Sequence, residues 1–172
     1  MELIQEICDK DIGEKGNVND VRYKIRRAVR AVIFNDRNEI TILNVTKNNY
    51  HKLPGGGIEK DETVLNALNR EILEETGCEA KITGDVGVIL ECRNKFELMQ
   101  ISYCYAAKLV KKLNDPSFTD KEVHEGFKLE WMKVDEALRT FKSDKPMTYE
   151  GRFVQKRDIA LLSSVNNDRP AA

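Results

Sequence analysis

The sequence predicts an α/β chain, of the α+β kind, in which a mixed sheet packs between helices. Three observations predict it. Apolar runs of strand character recur on both sides of one amphipathic helix, two of them are joined by a hairpin-type turn, and a longer helix closes the chain. Residues 1–20 are polar, with Gly13 and Gly16, and read as an N-terminal arm, loose or packed on. Residues 27–34 and 39–45 are apolar strands separated by Asn35-Asp36-Arg37-Asn38, a good hairpin signal. The first helix covers residues 63–76. Two longer strands, 80–91 and 97–108, follow with Arg93-Asn94-Lys95 as their turn, and 111–126 is a polar loop containing Pro116. A strand at 127–134 leads into a short helix at 135–141, and Pro146 breaks the chain before a last helix at 149–165. Residues 166–172 read as a frayed tail, which leaves 21–165 as a single domain. A chain of 172 residues is long enough for one core that buries roughly 70 per cent of its unfolded surface.

Composition excludes several classes. An apolar content of 41 per cent and a net charge of −1 suit a soluble enzyme and give no basic excess for a nucleic-acid polymer. The acidic start, Met1-Glu2-Leu3-Ile4-Gln5-Glu6-Ile7, has no long apolar stretch of the signal-peptide kind, and no run approaches a membrane span. Cys8, Cys78, Cys92 and Cys104 are scattered without a CxxC pair, which fits reduced thiols in a cytoplasmic protein better than disulfides or a zinc site. His51 and His124 stand apart from them.

Chemistry concentrates in Gly56-Gly57-Ile58-Glu59-Lys60-Asp61-Glu62 and Arg70-Glu71-Ile72-Leu73-Glu74-Glu75-Thr76-Gly77-Cys78. With Glu71 set at zero on a helical wheel, Glu74 falls at about 300° and Glu75 at about 40°, so the three carboxylates share one face. Val64 and Leu68 bracket Glu75 on that face, and the cluster lies at the helix C-terminus, where the dipole disfavours anions. Like charges about 5–6 Å apart repel by about 0.7 kcal/mol in water and about 3 kcal/mol at an effective dielectric near 20. Only Arg70 offers local relief, so the trio wants a counter-charge, and a hard divalent cation with a preference for oxygen is the simplest candidate. A solvated glutamate-rich helix is the bland alternative, and the apolar interleaving argues against it.

These residues also resemble the Nudix box: Gly, five residues, Glu, seven residues, Arg-Glu-apolar-any-Glu-Glu-any-Gly-apolar. Gly56, Glu62, Arg70, Glu71, Ile72, Glu74, Glu75 and Gly77 fill it in unbroken register, with Cys78 as a small apolar residue in the last place and Leu53-Pro54-Gly55 before it. The resemblance to the MutT-like Nudix hydrolase superfamily implies an α/β/α sandwich with a mixed central sheet. It implies that Glu71, Glu74 and Glu75 bind Mg²⁺ or Mn²⁺ with help from the Gly55 carbonyl, that Arg70 holds the glutamates by ion pairing, and that Glu74 or Glu75 takes part in catalysis. Glu62 falls within about 80° of Arg70 on the wheel, so it either contacts that arginine or serves as a first-turn carboxylate. Gly77 supplies a left-handed helix cap, and Gly55, Gly56 and Gly57 let the backbone turn sharply beside the metal and substrate.

Outside the box, Arg22, Lys24 and Arg26 share one strand face, with Arg27 and Arg30 close by. Arg30 is the preferred phosphate ligand because it lies inside the first core strand; a solvated face is the competing role for the others. In many relatives a later-loop carboxylate acts as base, which here points to Glu125 or Glu122, ahead of Trp131. Tyr50, Phe118 and Tyr149 are candidates for stacking on a base.

The implied reaction is cleavage of the pyrophosphate bond of a nucleoside diphosphate linked to another group, by metal-assisted water attack. The proline of ADP-ribose pyrophosphatases is absent (its place is near Arg93), as are the NADH-type and coenzyme A-type signatures. Nucleoside triphosphates, oxidised ones included, therefore stand ahead of ADP-ribose and nucleotide sugars. A Nudix-fold regulator without hydrolysis and a prenyl-diphosphate isomerase are the rival classes. The intact glutamates argue against the first; Cys92 and Cys104 on predicted strands argue against the second. A homodimer is a family-level expectation.

Overall fold

The longest strand pairing in the computed structural model, which describes residues 1–16 and 21–167, joins β5 (Cys78–Arg93) to β6 (Leu98–Lys112). It runs antiparallel from Cys78↔Lys112 to Arg93↔Leu98. On one side β1 (Leu3–Cys8) adds to β5 in parallel; on the other β2 (Lys24–Phe34) adds to β6 in parallel over its whole length. Then come β3 (Glu39–Val45) and β4 (Tyr50–Lys52), while β7 (Phe127–Lys133) pairs with β3. The sheet is mixed, as expected. The arm at 1–20 is more than an appendage, since its residues 3–8 are an edge strand; residues 17–20 lie outside the description.

The predicted hairpin between β2 and β3 forms only at its turn, where Phe34 pairs with Ile40. Beyond that point the strands part, because the glycine-rich segment inserts between them. Val29 donates its N–H to Gly56 at 2.9 Å, Ala31 to Pro54 at 2.9 Å, and Ile58 to the Arg27 carbonyl at 3.0 Å. The segment thereby satisfies the backbone groups of β2 that β3 leaves free. β3 takes β7 as its partner instead, over all seven of its residues. The parting of the strands opens the floor of the cleft described below.

Both faces of β2 are buried from Ala28 to Ile33, which explains its unbroken apolar run. Val29, Ala31 and Ile33 pack against Ala67, Leu68 and Ile72 of α1 (Val64–Thr76). Each such fully buried side chain contributes about 1.5–3 kcal/mol. On the opposite face Val32, Ile40 and Ile42 pack with Phe141 of α3 (Val134–Ser143) and with Phe153, Leu161 and Leu162 of α4 (Tyr149–Asn167). Thr63 caps α1 by accepting from the Asn66 N–H at 3.2 Å, and Gly77 ends it at φ 67° with its own N–H on the Leu73 carbonyl, as the sequence requires.

The expected loop at 111–126 needs correction. β6 runs on to Lys112, and α2 (Asp120–Glu125) forms a short helix. Its signal was present as Thr119-x-x-Glu122, a capping box, followed by Gly126 at φ 73°. The last helix extends past Val165 to Asn167, so the expected tail begins inside it; residues 168–172 lie outside the description.

Candidate active site

A cleft of about 620 Å³ lies where the glycine segment, β2, β4, α1, α2 and α4 converge. Gly55, Gly56, Gly57, Glu71, Glu75, Arg30 and Glu125 all line it, so the fold assembles these sequence-predicted residues. Arg70 and Glu74 stand behind Glu71, outside the lining. The Arg70 guanidinium meets Glu71 Oε1 at 2.9 Å and Glu74 Oε2 at 3.1 Å, and it donates to the Gly57 carbonyl at 3.0 Å. Glu62 grips the same guanidinium with both oxygens, at 2.9 and 3.0 Å, which resolves its role in favour of contact with Arg70. Hydrogen bonds from Arg70 and from the Glu59 N–H hold the Glu62 carboxyl below the usual range.

The acidic residues differ in environment. Glu75 is 3 % exposed, with Oε2 accepting from the Gly55 N–H at 2.7 Å and Oε1 meeting Lys52 Nζ at 2.6 Å. Lys52 also reaches toward the Gly55 carbonyl at 3.4 Å. The sequence argument that only Arg70 relieves the cluster is therefore corrected: β4 brings in a second cation from 23 positions upstream. Glu71 remains under-compensated, since burial and the neighbouring Glu75 raise its carboxyl above the usual range despite Arg70. Glu74 is exposed and, among the described residues, has one ion pair, to Arg70.

The glycines are dictated by contact. A Cβ on Gly55, which sits at φ 135°, would overlap the Val29 carbonyl, and one on Gly56 would overlap the Glu71 carboxylate. The carboxylates of Glu71 and Glu75 and the Gly55 carbonyl thus face one small space, a donor set of hard oxygens that suits Mg²⁺ or Mn²⁺. Lys52 stands there as a monovalent counterpart.

The same cleft also carries cationic groups from β2. Arg30 is 4 % exposed and donates to the carbonyls of Val29 at 2.6 Å and Gly56 at 3.4 Å. Its Nε has no partner, and among the described residues it forms no ion pair. Burial and the nearby Arg157 lower its pKa to about 10, so it stays cationic at neutral pH. Arg26 bonds the neutral Gln100 at 2.6 Å. Beneath them Glu91 binds Arg93 at 2.8 Å and lies 3.8 Å from Arg157, all three buried. Sequence reading missed this floor. Its signal was polar alternation, Glu91 with Arg93 and Gln100 with Ser102, in strands that should otherwise be apolar.

The later-loop candidates separate. Glu122 is occupied as the α2 cap, accepting from the Thr119 N–H at 2.8 Å and from its hydroxyl at 2.9 Å. Glu125 lines the cleft, and among the described residues its one ion pair is the long contact to Lys121 at 3.8 Å. The aromatic candidates are largely engaged: Phe118 packs edge-on to Phe127, and Tyr149 packs on Phe96 and Phe153 while donating to Asp9.

The family model of the NUDIX domain matches residues 24–150. The chain belongs to the Nudix family. Among its relatives, diphosphoinositol polyphosphate phosphohydrolase 2 of Rattus norvegicus is 27 % identical over 132 residues, covering 75 % of this chain and 70 % of the relative. Similar solved folds include the E. coli ORF135 protein (TM-score 0.60, 22 % identity, 87 % of this chain and 96 % of that one). The MutT protein from Methanosarcina mazei Go1 is another (TM-score 0.58, 17 % identity, 87 % of this chain and 100 % of that one). Nudix hydrolases act on pyrophosphate bonds of small phosphorylated molecules, and the mixed sheet flanked by helices seen here is the Nudix architecture. No described helix is long and apolar enough to cross a membrane.

Proposed function

We propose that this protein is a Mg²⁺- or Mn²⁺-dependent hydrolase that cleaves a diphosphate linkage in a small, phosphate-rich molecule. One observation carries the reading: Glu71, a carboxylate short of cations, and Arg30, a buried arginine with an unpartnered Nε, line the same cleft. A metal diphosphate satisfies both. Glu71, Glu75 and the Gly55 carbonyl would hold the metal, which when bound neutralises diphosphate oxygens and lowers the pKa of water. Glu74, outside the lining and paired to Arg70, joins them on the strength of its place in the Nudix box. Arg30 donates its free Nε to a phosphate oxygen, with Arg26 beside it on the substrate side. Arg70 keeps Glu71 and Glu74 oriented, and the Glu125 carboxylate accepts the proton of the attacking water. Positioning and electrostatics then supply most of the catalysis.

For the substrate, a diphosphoinositol polyphosphate is placed ahead of a nucleoside triphosphate, reversing the sequence expectation. Cationic side chains, among them Arg26, Arg30, Lys95 and Lys121, line the cleft, whereas Tyr149 and Phe118 are already packed. The name of the rat relative points the same way. A nucleotide remains the second reading because Phe96, 48 % exposed at the cleft, offers a ring to a base.

Purified protein with Mg²⁺ should be assayed against diphosphoinositol polyphosphates, nucleoside triphosphates, ADP-ribose and nucleotide sugars, with phosphate or pyrophosphate detected. Turnover that depends on the metal and drops at least about a hundredfold in Glu74→Gln supports the reaction class. Wild-type turnover in that variant, with excess Mg²⁺, defeats the role of Glu74, and no turnover on any member of the panel favours a regulator.

A further inference from the structure

β1 and β5 run parallel with Cys8 directly opposite Cys92. Partners in adjacent strands present their side chains on the same sheet face, and Glu6, two residues before Cys8, shares that face. Glu6 Oε1 lies 3.5 Å from Cys8 Sγ, and the Cys92 sulfur lies within 4.8 Å of both. Sequence reading saw only scattered thiols, because nothing in the spacing of Cys8 and Cys92 announces that the edge strand β1 runs parallel beside β5.

We propose that Glu6, Cys8 and Cys92 form a second metal site, selective for a thiophilic divalent cation of the zinc class, with the fourth coordination position open to solvent. Geometry supports it first. Zinc bonds of about 2.3 Å to sulfur and about 2.0–2.2 Å to oxygen, arranged tetrahedrally, set neighbouring ligand atoms about 3.5–3.8 Å apart. The Glu6–Cys8 separation already equals one such edge, and all three ligand atoms lie within 4.8 Å of one another. Access supports it next, since the three residues line a second cavity of about 650 Å³ together with Asp9, Tyr23 and Met99. Cys92 is buried, Cys8 half-buried and Glu6 exposed, so the site is walled on the protein side and open on the other.

Binding of the dication releases the two thiol protons to solvent and leaves a neutral bis-thiolate metal unit beside the Glu6 carboxylate. Soft sulfur ligands distinguish this site from the hard oxygen set of the catalytic cleft. Its consequence is structural: the metal fastens the N-terminal edge strand to β5.

The test is titration of the reduced full-length protein with Co²⁺, followed by Zn²⁺. Oxygen ligands of the cleft give no sulfur-to-cobalt charge-transfer absorption, so that band reports this site alone. The expected result is a near-ultraviolet charge-transfer band that saturates at one equivalent and is abolished by one equivalent of Zn²⁺. It is lost in Cys8→Ala and in Cys92→Ala, and needs about tenfold more Co²⁺ in Glu6→Gln. Cys8→Ala, at the half-buried position, serves as the folded control, checked by retained circular dichroism. Absence of the band from the reduced wild-type protein overturns the proposal. So does a band that survives in either cysteine variant. Loss of two titratable thiols in air, with no cobalt band after reduction, assigns the pair to a disulfide instead.

Discussion

The ammonium of Lys52 sits 2.6 Å from Oε1 of Glu75, with both side chains almost wholly withdrawn from water. Glu75 is thus held by an internal cation at the place where the cleft presents its hard oxygen donors. Removing one partner of a nearly buried pair costs about 3–5 kcal/mol, and the lower end applies here because Glu75 keeps the Gly55 N–H. Lys52→Met should therefore destabilise the metal-free protein by about 3 kcal/mol, and Mg²⁺ should recover much of that by replacing the lost charge. Thermal denaturation with and without Mg²⁺ checks it. The rise in Tm on adding the metal should be larger in the variant; equal rises would mean that Lys52 and the metal do not serve the same carboxylate.

Gly56 and Gly55 make a paired prediction. A methyl at residue 56 meets first the end of the Glu71 side chain, which can move, whereas a methyl at residue 55 meets the Val29 backbone at a φ of 135°. Gly56→Ala should fold normally yet bind Mg²⁺ at least about tenfold more weakly, or about 1.4 kcal/mol, because Glu71 is displaced. Gly55→Ala should lose more than about 2 kcal/mol of stability. Calorimetric metal titration and urea denaturation separate the two, and an unaltered Mg²⁺ affinity in Gly56→Ala would remove the proposed role of Glu71.

Glu91 sets an acid limit on stability. Burial opposes its charge, but Arg157 and Arg93 outweigh burial and hold the carboxyl below the usual range. A depressed folded-state pKa means that the unfolded chain binds the proton first. The stabilisation is present above the unfolded value of about 4.3 and is lost as pH falls through the lower folded value. Glu91→Gln should flatten that acid limb and cost about 3–5 kcal/mol at neutral pH, since it leaves two buried guanidiniums with less anion. Urea midpoints between neutral and strongly acidic pH test both parts. An acid limb identical in wild type and variant would assign the loss to other carboxylates.

Much of the site was legible because it is local. The helix that carries Glu71, Glu74 and Glu75, its cap at Gly77 and the glycines before it lie in one continuous stretch, where 3.6-residue periodicity and loop chemistry operate at short range. What could not be read comes from the sheet. Lys52 reaches Glu75 because the glycine segment folds back across β2, and Arg93 joins Arg157 because β5 and α4 pack together. Neither spacing carries a local signal. The β2–β3 hairpin misled for the same reason: its turn residues are right, but the backbone partners of β2 are supplied by the glycine segment. For α2, the capping box was present and the polar composition of 111–126 masked it.

Glu122 and Glu125 lie one helical turn apart in α2, and their surroundings assign them different tasks. Glu122 spends its carboxylate on Thr119, so Glu122→Ala should cost up to about 1 kcal/mol through loss of the cap, with kcat changed little. Glu125 lines the cleft, and among the described residues its one ion pair is to Lys121 at 3.8 Å. As the group that accepts a proton from water, it should affect the chemical step far more than binding. Glu125→Gln preserves shape and hydrogen-bonding capacity but removes basicity. Its kcat should fall by about 10²–10⁴ with KM nearly unchanged. Steady-state kinetics over pH, with Mg²⁺ saturating, decide the matter. A variant that raises KM while sparing kcat would make Glu125 a binding residue and return the search for the base to Glu74 and Glu75.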